Sequence, residues 1–154
     1  MKTAKFLGNC QICEGDFKAR KGVMVHHGYK RPGHGYIVGD CPGVAELPYE
    51  QSCEIIKGQL VSAKAALGHT SAYLAKLEAR EVTHFTTYRH SHLRGEMIEK
   101  DYALGVSDVW QFHDAYRVLK QETHSRVKGI ESMIARFEAR IAAWELKPLR
   151  QVEA

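Results

Sequence analysis

No stretch of this chain approaches the ~20 consecutive apolar residues that a membrane-crossing helix needs, so nothing in it reads as a membrane span. Proline is scarce, with four residues in 154, and only Pro148 lies beyond Pro48. The long middle of the chain is therefore free of the residue that most often breaks a helix. A dominant charge sign is missing too: 22 Lys and Arg face 18 Asp and Glu, a net of +4, which excludes a histone-like coat of nucleic acid. The opening Met1-Lys-Thr-Ala-Lys-Phe-Leu7 holds no apolar run of signal-peptide length, so the expected compartment is the reducing cytoplasm. There are only four cysteines, Cys10, Cys13, Cys41 and Cys53. In a reducing compartment a Cys-x-x-Cys pair reads as metal or redox chemistry and not as a disulfide. A thioredoxin-like redox pair would open a helix after a strand within an α/β pattern, and that pattern is lacking.

What is present is concentrated between Cys10 and Cys41. Cys10-Gln-Ile-Cys13 is followed by Phe17, Val23 and His26 at the spacings of a two-Cys, two-His finger, with twelve residues between the second Cys and the first His. The finger pattern then breaks, because no ligand follows three to five residues after His26. Cys41 is the expected fourth ligand and His34 the alternative. The segment has little with which to build a core, and below about 40 residues a domain usually needs a metal or disulfides to stay folded. The expectation is one structural Zn2+ per chain, held by Cys10, Cys13, His26 and Cys41. Val23 and Val25 favour a strand, Lys30 to Gly35 a turn, and Tyr36-Ile-Val38 a second strand. A hairpin of 22–29 with 36–41 would return Cys41 to the knuckle. On such a strand His26 and His27 face opposite ways, so only one can bind. The finger spacing selects His26, and His27 is the ligand if the register is off by one.

Beyond Pro48 the pattern changes to helix. Ile56, Leu60, Ala63, Leu67, Thr70, Leu74 and Leu77 step by four and three, the rhythm of a coiled-coil seam, and predict a helix over about 49–81. A second amphipathic run from Ser107, read as the N-cap, to about Leu146 carries Val109, Phe112, Tyr116, Leu119, Val127, Ile130, Ile134, Phe137, Ile141 and Trp144. Pro148 stops it, leaving a frayed tail. Cys53 reads as a small buried residue, with a spare metal ligand as the other reading. Residues 82–105 are rich in aromatic and β-branched residues interleaved with His84, Arg89, His90, His92 and Arg94, and are expected to form a solvated connector, with single-stranded nucleic-acid binding as the other reading. The predicted fold is α+β and mostly α: a zinc module over 1–46, then a long antiparallel helical hairpin over 47–154 with an irregular connector at 82–105. Two helices bury little more than one seam, so a homodimer is expected.

The phrase His26-His-Gly-Tyr-Lys-Arg-Pro-Gly33, after Cys10-x-x-Cys13 and before Cys41, resembles a group of small proteins carried by bacterial phages and plasmids. Their Cys/His head and long helical body imply a mobile-element setting, and proteins of this kind often act by binding host factors.

Three functions are weighed. The first is a non-enzymatic binding protein whose zinc head and helices face a host protein complex. The second is a nucleic-acid-binding regulator, because residues 1–41 carry seven Lys and Arg against three acids, while 101–154 balance at eight each. In both, Lys18, Arg20, Lys21, Tyr29, Lys30 and Arg31 are the expected contact residues. The third is an HNH-like nuclease, for which the run after Leu47 offers only Glu50, Gln51 and Glu54 and no Asn or His to hold a catalytic metal.

Overall fold

A computed structural model of the chain describes residues 5–30, 36–90 and 96–152. Among these described residues, eight short strands and two helices form an α+β fold with three small antiparallel sheets. In order they are β1 (Lys5–Asn9), β2 (Asp16–Arg20), β3 (Val23–Met24), β4 (Gly28–Lys30), β5 (Ile37–Asp40), α1 (Glu54–Glu78), β6 (His84–His90), β7 (Met97–Ala103), α2 (Val109–Ala142) and β8 (Arg150–Val152). Arg31, His34, His92 and Arg94 lie outside the described residues.

The chain divides into two compact units, residues 1–62 with 134–154, and residues 63–133. The head expected over 1–46 lies within the first unit, which also takes in residues 134–154. Here strand order is β3-β2-β1-β8, and β8 pairs antiparallel with β1 through Lys5↔Val152 and Leu7↔Arg150. Within the tail expected to fray, Arg150–Val152 is thus a strand. In β2 the alternation is plain: Phe17 and Ala19 turn inward while Lys18 and Arg20 face solvent, the period of two that a half-buried strand imposes. The strand expected over 22–29 is split, since β3 joins β2 through Ala19↔Met24 and only β4 pairs with β5.

The helix seams fall where the spacing puts them. Ile56, Ala63, Leu74, Leu77, Phe112, Ile130, Ile134 and Phe137 are buried, whereas Val109 is exposed. Both helices are shorter than expected. Asp108, not Ser107, caps α2, its carboxylate accepting the Gln111 amide at 3.0 Å. The Ser107 hydroxyl instead accepts the Ala103 amide.

In the second unit, the described residues of 82–105 are not an irregular connector. β6 and β7 form a seven-pair hairpin from His84↔Ala103 to His90↔Met97, as β-branched and aromatic content favours. Phe85 and Tyr102 stack across it at 5.3 Å between ring centroids and cover Phe112 and Ala115 of α2. Among the described residues no helix is long and apolar enough to cross a membrane.

Candidate metal centre

Cys10 and Cys13 sit on the turn that leaves β1. The Cys10 amide donates to the Gly15 carbonyl at 2.9 Å and the Glu14 amide to the Cys10 carbonyl at 3.0 Å. Closing so tight a turn puts Glu14 at φ 60°, a strained backbone for a residue with a side chain. Its carboxylate is held by Arg136 at 2.9 Å and Arg140 at 3.0 Å, which fixes the turn from outside.

Cys41 comes back directly after β5, and its amide donates to the His27 carbonyl at 3.0 Å. Cys41-Pro-Gly43 makes a second turn in which the Gly43 amide points at the Cys41 sulfur, 3.5 Å away. A Cβ on residue 43 would stand 2.5 Å from Cys10 Sγ, so this close approach requires glycine.

Four buried side chains converge: Cys10, Cys13, His27 and Cys41 offer ligand atoms that all lie within 4.8 Å of one another. Cys10 Sγ and Cys41 Sγ are 3.7 Å apart. Two thiolates bound tetrahedrally at ~2.3 Å from one ion would be about 3.8 Å apart, so this edge already has metal-site dimensions. All four cysteines are free of disulfides. Cys53, also buried, lies outside the cluster as a small core residue.

The histidine gives the most specific evidence. Its Nδ1 lies 2.8 Å from the Val25 carbonyl. A carbonyl only accepts, so Nδ1 carries the proton and Nε2 is left with its lone pair. That Nε2 is buried and has no hydrogen-bond partner. An orphaned buried acceptor costs of order 1–3 kcal/mol unless something satisfies it, and here three sulfurs surround it. A carbonyl holding the distal N–H is also the usual second contact of a metal-bound histidine. The Phe17 ring stacks on the imidazole at 4.0 Å between centroids and sets its plane.

Finger spacing selects His26 for this place, and in the structure His27 occupies it. The helical finger register does not form. In its place is an extended stretch on which neighbours alternate, so His26 points to solvent and meets Asp40 at 2.9 Å, both side chains more than 70 % exposed. His26→Ala is therefore expected to keep metal and change stability by less than ~1 kcal/mol, as exposed pairs do. His27→Ala should lower metal affinity by orders of magnitude, read by competition with a colorimetric chelator. Equal affinities in the two variants would contradict the assignment.

Burial pushes the Cys13 thiol up and the Cys41 thiol up to about 12. The Gly15 and Gly43 backbones oppose the rise at Cys13 and Cys41 respectively, while neighbouring Cys10 adds to it at both. Cys13 and Cys41 therefore stay protonated without a cation, and a divalent ion would reverse that by holding them as thiolates. With four protein ligands, a tetrahedral ion keeps no open position for substrate or water.

Residues that sequence reasoning passed over tie this centre down. Gln11, between the first two cysteines, accepts the Ile55 amide on Oε1 at 3.2 Å and so caps α1. Its Nε2 donates to the Leu47 carbonyl, and its own carbonyl accepts Arg140 Nη1 at 3.0 Å. Arg140 also lies over the Tyr49 ring, and Trp144 Nε1 donates to the Tyr49 carbonyl. No local signal announces a contact across 129 residues.

Of the expected contact residues, Lys18, Arg20, Lys21 and Lys30 are exposed. Tyr29 is half-buried and packs against the cysteine cluster. Glu50 accepts the Asn9 amide and Gln51 donates to the Lys147 carbonyl, while Glu54 pairs with Lys57 in solvent. Comparison of the chain with protein-family models, with curated proteins and with solved structures finds no match.

Proposed function

We propose that the chain is a non-enzymatic, zinc-stabilised binding protein whose metal is structural and whose head docks a partner protein. Zinc is the metal that suits three sulfurs and one imidazole in a closed tetrahedron. A chain that fills all four positions itself uses the ion to fold, because activating water needs a vacant place. The orphaned His27 Nε2 is the observation that carries this part of the reading.

The docking surface is supported by β5. Tyr36, Ile37 and Val38 are 81, 69 and 70 % exposed in one run. Three successive apolar residues facing water are a liability that a partner relieves, and an added strand could pair along β5, where β4 is its one neighbour among the described residues. The class of partner that the phage and plasmid resemblance implies is a host protein in the cytoplasm. A long antiparallel helical pair that self-associates through its apolar seams belongs to the same reading.

A second reading is favoured by the sheet. Directly opposed residues of antiparallel strands share a face, and Leu7 stands between Lys18 on one side and Arg150 on the other. Two residues along, Lys5 and Arg20 present their side chains on the same face. Of its acids, Asp16 is neutralised by Arg150 at 2.8 Å. This basic strip suits phosphate.

One experiment separates the two. Pull-downs from lysate, with and without nuclease, are made with the wild type, with Ile37→Asp/Val38→Asp, and with Lys18→Glu/Arg20→Glu. The protein reading predicts capture that survives nuclease and is lost in the β5 variant. Loss on nuclease treatment and in the Lys18/Arg20 variant alone would move the assignment to nucleic acid.

A further inference from the structure

The second unit holds a cavity of about 350 Å3 that belongs to neither the metal centre nor the docking face. We propose that it binds a small amphipathic anion, a compact apolar body carrying one carboxylate.

The volume is that of a small-molecule pocket. Its covered wall is apolar: Val82, Phe112 and Tyr116 line it, backed by the aromatic cluster of Phe85 and Tyr102, and the exposed Leu104 adds to the lining. The Tyr116 hydroxyl is spent on the Leu77 carbonyl at 2.8 Å, so its ring offers an apolar face and no free donor. Burial holds that phenol's pKa above its ordinary value, which keeps the group neutral. A hydrophilic anion such as free phosphate would lose its water against these walls without replacement.

The rim has the opposite character. Arg80, Arg117 and Lys120 stand around the opening with His113, against one acid, Glu78. Residues 113, 117 and 120 lie one turn apart along one stripe of α2, and Arg80 is fixed on the facing side by the turn that ends α1. There the chain reverses with Arg80 at φ 58° and the Glu81 amide bonded to the Lys76 carbonyl. Arg117 is shared with Asp114 at 2.8 Å. Arg80 and Lys120 have no ion-pair partner among the described residues, which leaves two cations for one carboxylate. An amphipathic amine would meet the wrong sign.

Charge-assisted hydrogen bonds are worth roughly 1.5–3 kcal/mol, about tenfold or more in affinity. The full-length protein is therefore titrated with 4-phenylbutyrate and with its neutral counterpart 4-phenylbutan-1-ol, and amide shifts are followed by NMR. The carboxylate is expected to bind at least about tenfold more tightly than the alcohol, with shifts centred on 77–82, 104 and 112–120. Arg80→Gln/Lys120→Gln should erase that preference and leave alcohol binding unchanged. Val82→Trp should fill the cavity and abolish both. Equal affinity for the two ligands, a preference that survives the double substitution, shifts centred elsewhere, or no shifts at millimolar ligand would each overturn the proposal. The result is independent of the head, because metal content and β5 docking are read by other measurements.

Discussion

Cys10→Ser is expected to yield a chain that purifies without zinc and has lost the ordered structure of its first unit. Structural zinc contributes apparent binding free energies of about 10–16 kcal/mol, as large as the whole stability of an ordinary domain. The head has few apolar residues to set against that loss. Met24 is its one large, fully buried aliphatic side chain near the cysteines, with Ile12, Phe17 and Tyr29 only partly covered. The consequence should extend past the head. Gln11 caps α1 and receives Arg140, Glu14 binds Arg136 and Arg140, and β8 pairs with β1. Hydrogen exchange in residues 140–152 should therefore rise together with that in residues 5–46. The hairpin and helix segments of 63–133 should keep their protection, since their core contains none of these residues. Unchanged protection of 140–152 beside an unfolded knuckle would show that the coupling through Gln11 and Arg140 is absent.

Leu77→Asp should have the second largest effect, in the other unit. Leu77 is 1 % exposed in the last turns of α1, and a carboxylate at that position is stripped of its water among apolar neighbours. A cost of about 4 kcal/mol corresponds to a fall in Tm of about 10 °C for a chain of this size. Val61→Asp on the same helix is the control, because Val61 is 70 % exposed and such surface changes usually stay within about 0.5 kcal/mol. Similar melting temperatures for the two variants would mean that the buried seam is misplaced.

The metal centre was legible to the extent that its signals are local. Cys10 and Cys13 announce themselves by spacing, and Cys41 follows once 36–41 is read as a returning strand. The histidine was misassigned because finger spacing presupposes a helix after Val23. Gly22 and Gly28 bracket a stretch that runs extended, and on extended chain the residue beside the expected one faces inward. Helix seams were legible for the same local reason, since Ile56, Leu74, Leu77, Ile130, Ile134 and Phe137 recur at helical spacing and are buried. The hairpin of β6 and β7 left its trace in Val82 to Tyr88, whose composition favours strand, but its partner Met97–Ala103 mixes charged with apolar residues and hid the pairing. What could not be read is non-local. β8 is three residues long and is defined only by its pairing with β1, and Arg140 is one more arginine on a helix until the Glu14 turn is placed beside it. Such contacts have no period and no composition of their own.

The proposed function requires that one zinc ion be bound by three sulfurs and the Nε2 of His27. X-ray absorption at the zinc K-edge, on protein whose metal content is first quantified, tests it directly. The predicted result is about one zinc per chain with three sulfur neighbours at ~2.3 Å and one nitrogen at ~2.0 Å, the nitrogen being lost in His27→Ala and retained in His26→Ala. A native chain without zinc and with all four thiols open to titration would contradict it, as would a first shell containing bound water in place of an imidazole.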